Sequence, residues 1–168
     1  MSKILIIDDE RAIRRALREI LEFEEFEVVE AENGKEGVEM AKKHLPDLII
    51  CDVMMPELDG YGVLYMLGKD AQTSSIPFIF LTAKTERLDF RKGMEMGADD
   101  YITKPFSAEQ LMLKIKNLLK YYRARNFLKY QLKTNELSIP EEGFAQKVAD
   151  CIHDRIDDNA LTIDNLAE

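Results

Sequence analysis

The 168-residue chain contains no tryptophan, only two histidines and only two cysteines. Cys51 lies inside an apolar run and Cys151 in a helical pattern, so neither a disulfide framework nor the spacing of a zinc site is present. No long hydrophobic run occurs. The longest, IPFIFLTA (76–83), falls far short of the roughly 20 residues needed to span a bilayer. The opening MSKILIIDDE lacks the basic segment and long apolar core of a secretory leader. Positive charge is in short supply as well: 23 Lys+Arg face 32 Asp+Glu, for a net charge of −9. The whole chain is therefore not expected to attract nucleic acid or an anionic membrane surface non-specifically. These absences predict a cytoplasmic protein. What remains, 33% charged and 46% hydrophobic residues, is ordinary for a soluble globular chain. The length suffices for one well-cored domain and an appendage.

Five short apolar runs stand out: KILIID (3–8), EVVEA (27–31), DLIICD (47–52), PFIFLT (77–82) and ADDYIT (98–103). The first, third and fourth are almost unbroken, as strands covered on both faces must be. Helical patterns separate them. In 10–24, Ile13, Ala16, Leu17, Ile20 and Leu21 follow the i, i+3, i+4 spacing of one helix face. Further helices are expected at 34–44, 60–70, 86–96 and from 107 onward, with Ser107 as N-cap and Gln110 as its capping-box partner. Five strands alternating with helices predict an α/β fold: a parallel sheet with helices on both faces, followed by C-terminal helices.

The texture changes after about residue 120. Leu111, Ile115, Leu118, Leu119 and Tyr122 carry a helical stripe that YYRARNFLKYQLK (121–133), basic and aromatic, extends. TNELSIPEEG (134–143) reads as a linker. Phe144, Val148, Ile152 and Ile156 then mark a second helix, and Thr162 the N-cap of a third. About 25 helical residues are too few for an independent core. The expected organisation is a domain over 1–123, a helical extension and linker over 124–143, and the start of a further helical domain over 144–168.

In an open parallel sheet all strand C-termini lie on one edge, where ligands bind. Asp8 and Asp9 follow the first strand, Asp52 ends the third, Thr82 and Ala83 end the fourth, and Lys104–Pro105 follow the fifth. Three carboxylates, a hydroxyl and an amine thus converge. Carboxylates crowded at a strand end repel one another and are costly to desolvate. They can instead hold a hard divalent cation such as Mg²⁺, which prefers oxygen ligands. One carboxylate could then attack phosphorus to form an acyl phosphate, with Lys104 adding positive charge, Thr82 a hydrogen bond and Ala83 room for close approach.

This constellation resembles the receiver domain of two-component response regulators over residues 1 to about 123. The residues that carry it are Asp8–Asp9, Asp52 within CDVMMPELDG, Thr82–Ala83, Tyr101 and Lys104–Pro105. The resemblance implies the flavodoxin-like strand order 2-1-3-4-5. It makes Asp52 the phosphoacceptor for a sensor histidine kinase. Asp8 (through water), Asp9, Asp52 and the Met54 backbone carbonyl become the Mg²⁺ site, and the Lys104–Pro105 bond becomes cis. It also implies that Thr82 and Tyr101 couple this site to the face of the fourth helix, fifth strand and fifth helix. That face, with Arg87, Arg91, Lys92, Met94, Tyr101 and Lys114, would serve for homodimerisation. Such a receiver phosphorylates and dephosphorylates only itself, so it is not expected to be a multiple-turnover enzyme. Met54 and Lys84, two residues after Asp52 and Thr82, flank the path of the hydrolytic water and offer it no carboxylate, which predicts a phosphoryl lifetime of at least minutes.

Each of these residues alone reads more simply as a solvated strand end, a turn residue or a helix cap. All of them would have to be so at once. Haloacid-dehalogenase-like phosphatases need Asp-x-Asp after the first strand, and flavodoxins a Ser/Thr-rich phosphate loop there; this chain has neither. Residues 144–168 resemble the opening of an AraC-type helix-turn-helix domain, with Thr162 to Glu168 beginning the second helix. The recognition helix would lie beyond Glu168, so DNA contact is expected only through residues outside this sequence. The alternative is docking of a protein partner by these C-terminal helices.

Overall fold

The computed structural model describes residues 1–83 and 95–134. Their elements are β1 (Lys3–Ile7), α1 (Arg11–Phe23), β2 (Glu27–Ala31), α2 (Gly34–His44), β3 (Leu48–Asp52), α3 (Gly60–Gly68), β4 (Phe78–Ala83), β5 (Asp100–Lys104) and α4 (Ala108–Thr134). The helix expected at 86–96 falls largely outside the described residues, as do Lys84, Arg87, Arg91, Lys92, Met94 and everything from 135 on. Two compact units divide the chain, residues 1–125 and 126–168.

The five strands form one parallel sheet in the order β2-β1-β3-β4-β5. Side chains alternate across a strand, and here both sets are apolar. Leu5, Ile7, Ile49, Cys51, Phe78 and Phe80 join the core that includes Val38 and Ala41 of α2 and Val63 and Leu67 of α3. Ile4, Ile6, Leu48, Ile50, Ile79 and Leu81 join the core that includes Leu17 and Leu21 of α1 and Leu111 and Ile115 of α4. A strand buried on both faces has no polar position to spare, which is why these runs are unbroken until the sheet ends.

Local polar groups set the ends of the helices. Asn33 caps α2 by accepting from the Glu36 N–H at 2.9 Å, and the Glu36 carboxylate reaches back to the Glu32 N–H at 2.8 Å. Asp59 caps α3 through the Gly62 N–H at 2.7 Å, and Ser107 caps α4 through the Gln110 N–H at 3.1 Å. Helix α3 stops at Gly68, short of the expected 70, because the Asp70 carboxylate accepts from the Gln72 N–H and its carbonyl from those of Thr73 and Ser74, forming a turn. Strand β5 starts two residues later than expected. Asp99 is engaged by Phe78: its N–H donates to the Phe78 carbonyl and its carboxylate accepts the Phe78 N–H at 2.8 Å. The other Asp99 oxygen accepts the Tyr122 hydroxyl at 2.6 Å, fastening α4 to the edge of the sheet remote from Asp52. Burial, and then this bond, push the Tyr122 phenol up to about 12.

Gly60, the first residue of α3, lies against the end of β3. A Cβ there would stand 2.4 Å from the Asp52 carbonyl oxygen and 3.0 Å from the Val53 Cα, both backbone. Gly60→Ala is therefore expected to destabilise the fold by about 2 kcal/mol or more, as overpacking does where backbone must move. Urea unfolding measures it; a change below about 0.5 kcal/mol would show that the strand end yields.

Candidate functional site

Strand register brings the polar residues together. Ile7 pairs with Cys51, so Asp8 and Asp52 follow side by side. Asp52 pairs with Leu81, which places Thr82 one step beyond it, and Ala83 pairs with Lys104. Asp8, Asp52 and Thr82 are all buried, at 0, 6 and 8% exposure, while Asp9 faces solvent. Asp8, Asp9 and Asp52 offer carboxylate oxygens that lie within 4.8 Å of one another.

Lys104 closes the cluster. Its Nζ lies 2.8 Å from Asp52 Oδ1, 3.0 Å from Asp8 Oδ2 and 3.6 Å from Glu10 Oε1. Asp8 Oδ1 accepts the Glu10 N–H at 2.8 Å, and Arg14 donates to the carbonyls of Asp8 and Asp9 at 2.8 and 3.1 Å. The turn from β1 into α1 is thereby tied down at three points. Behind Asp52, the Cys51 thiol donates to the Asp52 carbonyl at 3.3 Å; burial pushes that thiol well up and leaves it a proton donor.

One ammonium cannot balance this many acids. Burial pushes Asp52 up to about 6, although the hydrogen bond from Lys104 pulls it back, and the neighbouring Asp8 adds to the rise. Burial raises Asp8 too, against the pull of Lys104. Burial alone would lower Lys104, but its bonds to Asp52 and Asp8 prevail and hold its ammonium above the ordinary value. Positive charge is still wanted here. An all-oxygen donor set with two buried carboxylates, one of them raised to about 6, fits a hard divalent cation. Asp9 is exposed, so a cation held here would have access to water for its remaining ligands.

The other expected residues border this cluster. Met54 follows in the loop after β3 with its side chain 65% exposed. Glu57 in the same loop adopts a left-handed φ of 65° and pairs with Lys35 of α2 at 2.7 Å. The Lys104–Pro105 bond is cis. Tyr101 is half-buried on β5 against the α2/α3 core, and the Lys114 ammonium lies 5.3 Å from its ring centre. Lys114 also pairs with Asp100 at 2.7 Å. The contact of Glu10 with Lys104 was not legible in the sequence. The acid following Asp8–Asp9 was its only signal.

Residues 4–116 match the response regulator receiver domain family. The chain belongs to it. This receiver is 43% identical over 141 residues to the "Probable transcriptional regulator ycf27" of Porphyra purpurea, covering 84% of this chain and 54% of that protein. It is 42% identical over 159 residues to the "Transcriptional regulatory protein SrrA" of Staphylococcus aureus, covering 95% of this chain and 60% of that one. The chain thus spans little more than half the length of these relatives. Among solved structures, a putative response regulator from Chloroflexus aurantiacus superposes with a TM-score of 0.68 at 34% identity, covering 71% of this chain and 98% of that one. The receiver fold and the strand order agree with the expectation from sequence. Among the described residues no helix is long and apolar enough to cross a membrane. The segment likened to an AraC-type domain, 144–168, lies outside the described residues.

Proposed function

We propose that this receiver takes a phosphoryl group onto Asp52 from the phosphohistidine of a sensor kinase and relays its phosphorylation state to a transcription-regulating output. The observation that carries the reading is the buried Asp52 carboxylate, held 2.8 Å from Lys104 and clustered with Asp8 and Asp9. In the transfer, an Asp52 oxygen forms the new bond to phosphorus as the bond from phosphorus to the histidine nitrogen breaks, and the imidazole leaves. Mg²⁺ held by Asp8, Asp9, Asp52 and the Met54 carbonyl would neutralise charge building on the phosphoryl oxygens. Lys104 supplies the second positive charge, exchanging its carboxylate partner for a phosphoryl oxygen. Thr82, one step beyond Asp52 on the neighbouring strand, is placed to donate its hydroxyl proton to another. The chain transfers phosphate to itself alone and is not a multiple-turnover enzyme.

Intact mass tests this directly. The protein with Mg²⁺ and acetyl phosphate should gain one phosphoryl group; Asp52→Asn, or added EDTA, should abolish the gain. An equal gain in the variant would refute the assignment. With exposed Met54 two residues after Asp52 and Lys84 two residues after Thr82, the modified form should persist for at least minutes, and decay within seconds would contradict that role for the pair.

The two negative charges of the phosphoryl group draw Thr82 inward and bias Tyr101, a shift between existing states rather than a new fold. The β5–α4 face bearing Tyr101, Asp100 and Lys114 is the proposed homodimer surface. Tyr101→Ala should still be phosphorylated but fail to dimerise on phosphorylation in sedimentation velocity; full dimerisation would exclude the Tyr101 link. The names of the relatives support transcription regulation as output, and the pattern of 144–168 supports a helix-turn-helix beginning there.

A further inference from the structure

Asp8 and Asp9 are neighbours in the chain, yet both present carboxylate oxygens within 4.8 Å of each other and of Asp52. In an extended strand consecutive side chains point to opposite faces. Continued past its end, β1 would turn Asp9 away from Asp8 and Asp52. The chain avoids this by leaving the strand after Ile7. The Asp8 N–H still donates to the Ala31 carbonyl at 3.3 Å, a last tie to β2, and from there the backbone turns into α1. The convergence of the two acids is thus a property of the main chain at 8–10. What holds that turn holds the donor set.

Three groups hold it. The Glu10 N–H donates to Asp8 Oδ1 at 2.8 Å, and the Lys104 ammonium to Asp8 Oδ2 at 3.0 Å. Both bonds spend carboxylate oxygens, the atoms for which a cation would compete. The Arg14 bonds spend none. Its Nη1 donates to the main-chain carbonyls of Asp8 at 2.8 Å and of Asp9 at 3.1 Å. Carbonyls of successive residues diverge along a strand; here they converge on one nitrogen, so this pair of bonds requires the turned conformation. Helix side chains tilt toward the helix N-terminus, and Arg14, one turn into α1, reaches back over the turn. Its side chain is 13% exposed, which leaves water little access to replace it. The Arg14 Nη2 lies 4.0 Å from a Glu32 carboxylate whose side chain is 71% exposed, a pair too open to solvent to hold the arginine by itself.

We propose that Arg14 is a positioning residue of the cation site. By clamping the carbonyls of Asp8 and Asp9 it presents both carboxylates on the side of Asp52 and so sets the affinity for Mg²⁺, without touching the metal or the phosphoryl group. This role rests on the Mg²⁺ site proposed above and adds to it a residue that carries no ligand atom. Groups that orient metal ligands from behind typically govern affinity by about 10–100-fold.

Mg²⁺ titration of the full chain, followed by amide NMR shifts, tests it. Arg14→Met keeps the apolar stem but donates nothing, and should bind Mg²⁺ at least about tenfold more weakly. Arg14→Lys retains a donor and should recover most of that loss. With acetyl phosphate, Arg14→Met should raise the half-saturating Mg²⁺ concentration by the same factor and leave the rate at saturating Mg²⁺ near that of the parent. Arg14→Gln, two bonds shorter and uncharged, carries the same expectations should Arg14→Met fail to fold. Parental Mg²⁺ affinity in a folded Met or Gln variant would overturn the proposal and leave Arg14 a purely structural residue. A loss confined to the rate at saturating Mg²⁺ would also overturn it, as would an Arg14→Lys as weak as Arg14→Met. Failure of the parent itself to bind Mg²⁺ would instead refute the cation site, and the role of Arg14 with it.

Discussion

Lys104→Ala should be the most damaging single change in the receiver, with two separable losses. Its ammonium lies within 3.0 Å of Asp8 and 2.8 Å of Asp52, and its own side chain is only 18% exposed. Removing one partner of a buried ion pair leaves uncompensated charge and typically costs about 3–5 kcal/mol. Urea unfolding in EDTA at pH 7.5 should show a loss of that order. The raised Lys104 pKa fixes the window: its contribution is complete below the unfolded value of 10.5 and fades only as pH rises through the higher folded value. Mg²⁺ should restore part of the stability, as an ion held only by the folded carboxylate cluster would. It should not restore the chemistry. Phosphorylation by acetyl phosphate should stay about a hundredfold slow, the effect of losing one preorganised group at developing charge. A variant of parental stability, or one phosphorylated at the parental rate, would mean that Lys104 does not balance this cluster.

Asp52→Asn should move stability the other way. Burial raises Asp52 from 3.8 to about 6, so the metal-free fold prefers it protonated. Between these values the folded state binds more protons than the unfolded one, and stability falls as pH rises. This stabilisation is complete below pH 3.8 and gone above about pH 6, a difference of about 3 kcal/mol at 1.36 kcal/mol per unit. The asparagine carries no charge and escapes the loss, while Asp8 keeps Lys104 paired. Metal-free Asp52→Asn should therefore exceed the parent by up to about 3 kcal/mol at pH 7.5, and the two should converge near pH 4. Saturating Mg²⁺ should narrow the gap at pH 7.5, adding about 2.7 kcal/mol to the parent at a hundred times its Kd. A variant less stable than the parent at neutral pH would show that the Asp52 charge stabilises the fold, contrary to its burial.

What the sequence disclosed followed from how completely each residue's environment is dictated by its own strand. Ile4 to Ile7 and Leu48 to Cys51 are buried on both faces, so their run breaks only where the sheet ends, and Asp8 and Asp52 announce that end. Lys104 and Thr82 were placed by the same logic, because parallel strands align their C-termini. The start of β5 was not legible. Asp99 and Asp100 are the same residue type, and only contacts with Phe78 and Tyr122 distinguish the one that ties the sheet edge from the one that begins the strand. The reach of Lys104 to Glu10 depends on two segments far apart in sequence, and no periodicity encodes it.

The central claim is that Asp52, and no other acid of the cluster, takes the phosphoryl group. Borohydride reduces an acyl phosphate to an alcohol and leaves a free carboxylate intact. The protein should be phosphorylated with Mg²⁺ and acetyl phosphate, reduced, digested and mapped by mass. Homoserine is expected at position 52, with Asp8 and Asp9 unchanged and no conversion in EDTA. Homoserine at Asp8 or Asp9, or none under conditions that add a phosphoryl mass, would contradict it.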